Sequence, residues 1–471
     1  MGFNTEELSE FARHYGFHYA DLDPHALIKE VLIDMERGLE GLSSSLPMIP
    51  SYISPVTQIQ GNKTVLALDA GGTNLRASLV SFDAHGKLSA RETVKSAMPG
   101  TNGRVNALEF FDTIASAIMP LLSSVSAIDG IGFTFSYPMD IQPDADGILM
   151  AFSKEVDAPD VIGKKIGTGL RDALTRQKYT YAGPIVLLND TVATLLSGIA
   201  AIPADGVTVE SKNDFGWPGG PVIGFILGTG FNTAYPETSI PKIGFNSQGS
   251  AAQSADTPSA VTRHAPQIVV CESGMFNVRH RGQLDLEFDS TTQKPGMFAL
   301  EKTVSGAYLG PLTLYILKQA VKDRLISFKK SEELLVMEKL GTRSLNEFLH
   351  EPLSSAGPIG SLFANNEADA LASAQYLVSI IAERGALFSA AVLAATVERI
   401  YSGNSGQIRP YSPVRIAVEG TTYLMFQGMR RSLESWLHYM LFDKNPRPYI
   451  ISPVEQASLY GAAVAAISKL Q

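Results

Sequence analysis

The sequence predicts an α/β protein with more than one domain. Short apolar, β-prone runs alternate with stretches of helical spacing, the pattern of layered α/β folds. The chain has 471 residues, where one domain takes roughly 100–200. Hydrophobic residues make up 45% of it and charged residues 18%, which supports a sizeable core and excludes a largely disordered chain.

The first predicted element is a helix. Leu27, Val31, Ile33, Met35 and Leu39 mix with Lys29, Glu30, Asp34, Glu36 and Arg37 at roughly helical spacing. Gly41-Leu42-Ser43-Ser44-Ser45, with Pro47 and Pro50 beyond, ends it. Thr64 to Asp69 is an apolar strand, and after Ala70-Gly71-Gly72-Thr73-Asn74 a second run follows from Leu75 to Phe82. Two strands about a Gly-Gly turn predict a hairpin. Gly130–Phe135 and Ile185–Leu188 read as short buried strands, each with helical sequence nearby, and Val222–Leu227 as another that ends at Gly228-Thr229-Gly230. Arg415 to Thr422 reads as a strand entering a glycine turn, and Gln456 to Leu470 as an alanine-rich helix. Pro203–Pro221 and Ser239–Pro266 stand out as long loops, which inside compact domains tend to be functional or mobile. No internal repeat of fixed period is visible.

Composition removes several function classes. The net charge is -9 and no long run of Lys and Arg occurs, so a nucleic-acid partner is not expected. The single cysteine, Cys271, forms no intrachain disulfide and cannot build a cysteine-rich zinc site. The first residues lack a basic segment followed by an apolar one, so no secretory signal is read. The most apolar stretch, Gly385 to Val397, is shorter than the ~20 residues of a membrane span. The expectation is a soluble, cytoplasmic protein with no membrane partner.

Two turns of similar design, roughly 160 residues apart, carry the first chemical signal: Asp69 to Asn74 and Gly228 to Asn232. Each leaves an apolar strand and combines glycine with a hydroxyl residue. Such a backbone can approach a ligand closely and point several N–H groups at phosphate oxygens; equally, both are serviceable tight hairpin turns. Neither is a G-x-x-x-x-G-K-[ST] loop or a G-x-G-x-x-G. Asp69 adds a carboxylate at a strand end, placed to hold Mg²⁺ through water. Asn189-Asp190 follows the strand Ile185–Leu188 and opens a helix over Thr191–Ala201. Asn and Asp are preferred helix caps, but a carboxylate kept ionised by the helix dipole is also able to accept a proton from a substrate hydroxyl attacking phosphorus.

Together the motifs resemble those of the hexokinase family. Val65-Leu-Ala-Leu-Asp-Ala-Gly-Gly-Thr-Asn-Leu-Arg76 resembles its first phosphate signature, and Gly132-Phe-Thr-Phe-Ser-Tyr-Pro138 its sugar segment, usually written GFTFSFP. Phe152-Ser-Lys154 sits where the family has Trp-Thr-Lys. Leu188-Asn-Asp-Thr-Val-Ala-Thr194, Gly228-Thr-Gly-Phe-Asn-Thr-Ala-Tyr235, Val270-Cys-Glu-Ser-Gly-Met-Phe276 and Lys294-Pro-Gly-Met-Phe-Ala-Leu-Glu-Lys302 are similar to further segments. Met35-Glu-Arg-Gly-Leu39 with Leu46 to Tyr52 matches the stretch before the first motif. Each match is weak alone; eight in the family's order, from about residue 35 to 463, are strong.

The resemblance implies two unequal actin-like, ribonuclease H-like α/β domains flanking a catalytic cleft. Residues 63–189 plus 455–471 would form the small domain, and 1–62 plus 190–454 the large one. It implies ATP-dependent phosphorylation of a hexose, glucose first, at the 6-hydroxyl, with ATP and Mg²⁺ as cofactors and a monomer or homodimer. Carried over by position, Asp190 is the base and Asp69 the carboxylate on the Mg²⁺ side. Ser136, Ser153, Lys154, Asn189, Asp190, Asn232, Glu272 and Glu301 would line the sugar pocket. Asp69, Gly71, Gly72, Thr73, Asn74, Arg76, Gly228, Thr229, Gly420, Thr421 and Ser458 would hold the phosphates and nucleotide. Carboxylates and amides suit a ring of hydroxyls, each a donor and an acceptor. Read without the family, Lys154 is as well explained as a solvated surface residue, and Glu301-Lys302 as an ordinary helical charge pair.

The chain departs from the family near its end. Gln456-Ala-Ser-Leu-Tyr-Gly-Ala-Ala463 replaces a Gly-Ser-Gly-Lys-Gly-Ala-Ala turn, and Glu419-Gly420-Thr421 an Asp-Gly-Ser. Ser239–Pro266 is longer than the family's corresponding stretch. The altered nucleotide end motivates a second reading, a catalytically weak hexose-sensing protein that keeps the sugar site. A third, an actin- or chaperone-like ATPase, gives the Glu272 and Glu301 segments no purpose. Repressor-type sugar kinases are excluded by the lack of zinc-binding cysteines.

Overall fold

A computed structural model describes residues 3–55, 59–152, 156–201, 220–246, 266–354, 357–363, 367–403, 413–443 and 446–470. Most of both long loops, and Ser153 and Lys154 with them, lie outside the described residues.

In chain order the first strands are Ile49–Pro50 (β1), Lys63–Gly71 (β2), Asn74–Phe82 (β3), Leu88–Ala97 (β4) and Gly130–Phe135 (β5). Met139–Ile141 (β6), Gly147–Leu149 (β7) and Ile185–Leu188 (β8) follow. The remainder are Val222–Leu227 (β9), Phe231–Glu237 (β10), Gln267–Val270 (β11), Val414–Glu419 (β12) and Tyr449–Pro453 (β13). β4-β3-β2-β5-β8 form a five-stranded sheet and β1-β11-β10-β9-β12-β13 a six-stranded one, while β6 and β7 pair separately.

With the short β1 set aside, the two sheets share one connectivity. Three strands run antiparallel in succession, β2-β3-β4 in one and β9-β10-β11 in the other. Two parallel strands then join on the far side of the first, β5 and β8 in one, β12 and β13 in the other. The two glycine turns sit at equivalent places, each closing the first hairpin of its sheet. The hairpin predicted about the Gly-Gly turn forms, and the turn at Gly228-Thr229-Gly230 closes a second one, as its plainer reading had it.

A pair of helices fills the space between the sheets in an exchanged arrangement. The helix Asp190–Ala200 leaves the five-stranded sheet and packs on β9 and β12, whereas Ala457–Ser468 leaves the six-stranded sheet and packs on β2 and β5. Small residues permit the close approach. A Cβ on Gly132 of β5 would lie 1.8 Å from the Ala462 carbonyl oxygen, and one on Gly461 would lie 2.0 Å from that of Ala193. The apolar side chains between the sheets, among them Val65, Val186, Leu196, Val222, Ala417 and Val464, form one continuous buried cluster.

The remaining elements refine the sequence reading. The helix Pro24–Glu40 forms as predicted, with Asp23 as its cap and Gly41 closing it at φ 75°. A helix over Thr5–His14, capped by Asn4, precedes it and was not predicted. β12 runs into the glycine turn as predicted, stopping at Glu419, and Gly420 turns the chain into the short helix Thr421–Met425. The segment read as a loop from Ser239 begins with a helix, Pro241–Asn246. The apolar stretch Gly385 to Val397 lies inside a 36-residue helix, Ala368–Gly403. By length and composition this helix is able to cross a membrane, yet 83% of its most apolar window is buried against the rest of the protein. Arg384 in its middle is enclosed and donates to both carboxylate oxygens of Asp285 at 2.6 Å.

Candidate active site

β2 carries Asp69 to the end of the five-stranded sheet, where the chain turns through Gly71-Gly72-Thr73 and returns along β3. Asp69 lies opposite Arg76 in the hairpin register. Its side chain is 2% exposed, and Arg76 Nη2 approaches Oδ2 to 2.9 Å. The guanidinium offsets the cost of burying a carboxylate, while its own exposed half remains available to a ligand. Gly72 takes φ 76°, the left-handed region that glycine enters without penalty. Its carbonyl accepts the Tyr137 hydroxyl, and the Thr73 carbonyl accepts the Met98 N–H at 2.9 Å. Gly71, Thr73 and Asn74 face solvent. Ser136, at the end of β5, donates its N–H to Ala70 at 3.1 Å and so sits beside the same turn.

The second turn is braced by two other segments. The Gly228 carbonyl accepts the Gly306 N–H at 2.7 Å and the Thr422 hydroxyl at 2.8 Å, and the Thr229 carbonyl accepts the Ala307 N–H at 3.1 Å. Gly420 lies against Gly228 closely enough that a Cβ there would be 3.3 Å from the Gly420 Cα. Gly228, Thr229 and Gly420 are thus brought together, with the Thr229 and Thr421 side chains exposed. Ser458 lies in the first turn of Ala457–Ser468, where its carbonyl accepts the Thr134 hydroxyl of β5 at 2.8 Å.

Between the turns stands a group of carboxylates. Asn189 caps the helix Asp190–Ala200 by accepting the Thr191 N–H at 2.8 Å, so the capping role is real and Asp190 is the first helical residue. Glu272 follows β11 with φ 54°, a strained conformation for a side chain with a Cβ. Asn232 donates to Glu272 Oε1 at 3.1 Å, and its own carbonyl accepts the N–H groups of Thr233 and Ser273 at 2.8 and 3.2 Å. Glu301 opens the short helix Glu301–Val304 and accepts the Phe231 N–H at 3.1 Å. Burial, then the charge of Asp190, raises the pKa of Glu272, Glu301 and Glu419. For Glu272 the result is about 7, even with the Asn232 hydrogen bond acting the other way. Asp190 is therefore near all three carboxylates, and Asn232 joins the group through Glu272.

Three residues lie in this region that the sequence reading left out of the site or read otherwise. Glu419 ends β12, accepts the Thr194 hydroxyl at 3.3 Å and feels the charges of both Asp69 and Arg76. Its signal was legible, since it closes an apolar strand as Asp69 does. Lys95 of β4 lies opposite Arg76, a neighbour fixed only by strand register. Lys302 is no exposed helical pair with Glu301: it is buried, joined to Asp289, and donates to the Lys294 carbonyl at 2.6 Å. Among the described residues no three His, Cys, Asp or Glu side chains converge as a metal-holding group. A cavity of about 930 Å³ beside Leu424, Met425, Arg430 and Arg431 shares no residue with the carboxylate group.

Comparison with known proteins places this geometry. Two family models, both described as hexokinase, match residues 7–200 and 222–468. Hexokinase-2 of Candida albicans is 26% identical over 462 residues, spanning 94% of this chain and 88% of that protein. Hexokinase-2 of Saccharomyces cerevisiae is 26% identical over 468 residues, spanning 94% of this chain and 88% of its own. The solved hexokinase of Schistosoma mansoni complexed with glucose superposes with a TM-score of 0.73 over 99% of this chain and 100% of that one, at 24% identity.

Proposed function

The chain belongs to the hexokinase family of ATP-dependent sugar phosphotransferases, and from that premise we propose that it transfers the γ-phosphoryl group of ATP to the 6-hydroxyl of a hexose, glucose first, with Asp190 as general base. The observation that carries the proposal is the position of Asp190. It opens a helix at the end of β8, within reach of the charges of Glu272, Glu301 and Glu419, and Asn232 donates to Glu272.

In this reading Asn232, Glu272 and Glu301 bind and orient the sugar hydroxyls, joined by Ser136, Asn189, Ser153 and Lys154. A site built to satisfy hydroxyls rejects analogues that lack them. Asp190 accepts the proton of the attacking hydroxyl as the oxygen meets phosphorus in line. N–H groups of the Gly71–Asn74 and Gly228–Thr229 turns, with Arg76, receive phosphate oxygens and offset the charge that develops on them. Gly420, Thr421 and Ser458 extend the nucleotide side. Mg²⁺ neutralises phosphate charge in such transfers. With no three-ligand group of its own among the described residues, the protein would hold the ion chiefly through phosphates and water, Asp69 serving as an outer carboxylate. Residues 63–189 with 455–471 act as one lobe and 1–62 with 190–454 as the other; the exchanged helices between the sheets support this division.

The test is Asp190→Ala, assayed by coupled ADP release and by calorimetric sugar titration. kcat is expected to fall about 10²–10⁴-fold, while the hexose still binds. A kcat near that of the parent, with a native circular-dichroism spectrum, would remove Asp190 from the role of base.

A further inference from the structure

We infer that Tyr137 is a positioning residue for the phosphoryl donor, its hydroxyl fixing the Gly72 peptide so that the Thr73 N–H points to the phosphate side of the turn. The inference rests on reading Gly71–Thr73 as a phosphate turn, and it assigns to this chain a link between the sugar segment and that turn.

Tyr137 follows Ser136 as the chain leaves β5 and is 4% exposed. Its ring packs against Phe135 and Phe152, with centroids 4.9 and 5.1 Å away, so the hydroxyl has little choice of direction. It donates to the Gly72 carbonyl. A trans peptide is planar, with its C=O and the following N–H pointing opposite ways. Holding the Gly72 carbonyl toward the buried Tyr137 therefore turns the Thr73 N–H outward, on the side where Thr73 is exposed. The anchor matters here because Gly72, at φ 76°, is the residue type least restrained by its own sterics. The next peptide is fixed separately, by Met98 N–H to the Thr73 carbonyl at 2.9 Å. Burial pushes the Tyr137 hydroxyl up to about 12, so it stays a protonated donor at any working pH. The segment it resembles is usually written with Phe at this position, and the hydroxyl is what this chain adds.

The test compares the parent protein with Tyr137→Phe, which keeps the ring and removes one oxygen. The KM for MgATP is expected to rise about three- to tenfold, the scale of one lost hydrogen bond. The KM for the hexose should stay within about twofold, since the substitution keeps the ring that packs against Phe135 and Phe152 and so leaves the neighbouring Ser136 in place. A merely structural role would lower the melting temperature and move both KM values together. That result, or an unchanged KM for MgATP, overturns the inference while the parent's own turnover leaves the kinase reading intact. A parent protein with no hexose-dependent ADP release overturns both.

Discussion

Glu272 shows what the proposed sugar site demands of a single residue. It is held at φ 54°, partly buried, and within reach of the like charges of Asp190 and Glu301. Its pKa rises from an ordinary 4.5 to about 7. The unfolded chain therefore releases this proton at lower pH than the folded one does. Across that interval the folded state binds more protons, so the group's contribution to stability falls as pH rises. Glu272→Gln should remove this dependence and melt higher relative to the parent at pH 8 than at pH 5. A hexose hydroxyl donating to the ionised carboxylate reverses the preference. Hexose affinity should then weaken as pH falls below about 7, approaching tenfold per unit, with proton release on binding near neutrality. Calorimetry at pH 5.5 and 7.5 checks this; equal affinities at both would separate Glu272 from the sugar. The strained, mutually repelling arrangement is understandable as a site that sacrifices apo stability for recognition.

At the scale of elements, the site depends on how closely two helices and two sheets approach. Gly461→Ala would drive a methyl group into the Ala193 carbonyl, 2.0 Å from the new Cβ. Overpacking of this kind costs about 1–3 kcal/mol, to be read as a lowered midpoint in denaturant unfolding. The strands at these contacts were legible in the sequence because buried runs such as Leu66-Ala67-Leu68 and Ile185–Leu188 are apolar throughout, and Gly71-Gly72, Asn189-Asp190 or Gly228-Thr229-Gly230 marks where such runs end. The helix Thr5–His14 was not: only Leu8, Phe11 and Ala12 are buried on it, too few to register as a stripe, although Asn4 before Glu6 and Glu7 is a readable start. The five-residue helix after Gly420 is too short to show a period. Lys302 read as half of a surface pair because its partner, Asp289, lies on a different helix.

At the scale of the molecule, the two halves repeat a strand order that no sequence period betrays. The repeat lies in backbone pairing, which dissimilar apolar side chains satisfy equally well. The glycine turns survive as its visible trace, since each closes the first hairpin of its sheet. The convergence of Asp190, Asn232, Glu272 and Glu301 was legible only through the order of short motifs. Local pattern says that each is a strand-end or helix-end polar residue; the fold alone makes them neighbours, and the sheets bring Asp69 and Glu419 to the same region. The proposed site, assembled from both halves, would couple the sugar to the nucleotide, and ADP formation should therefore require the hexose. The measurement that tests this most directly is coupled ADP release from MgATP with glucose, mannose or fructose and with no sugar. Turnover should depend on the hexose, with one hexose 6-phosphate formed per ADP and little ADP without sugar. ADP released equally with and without sugar, or glucose bound with no ADP formed, would contradict it.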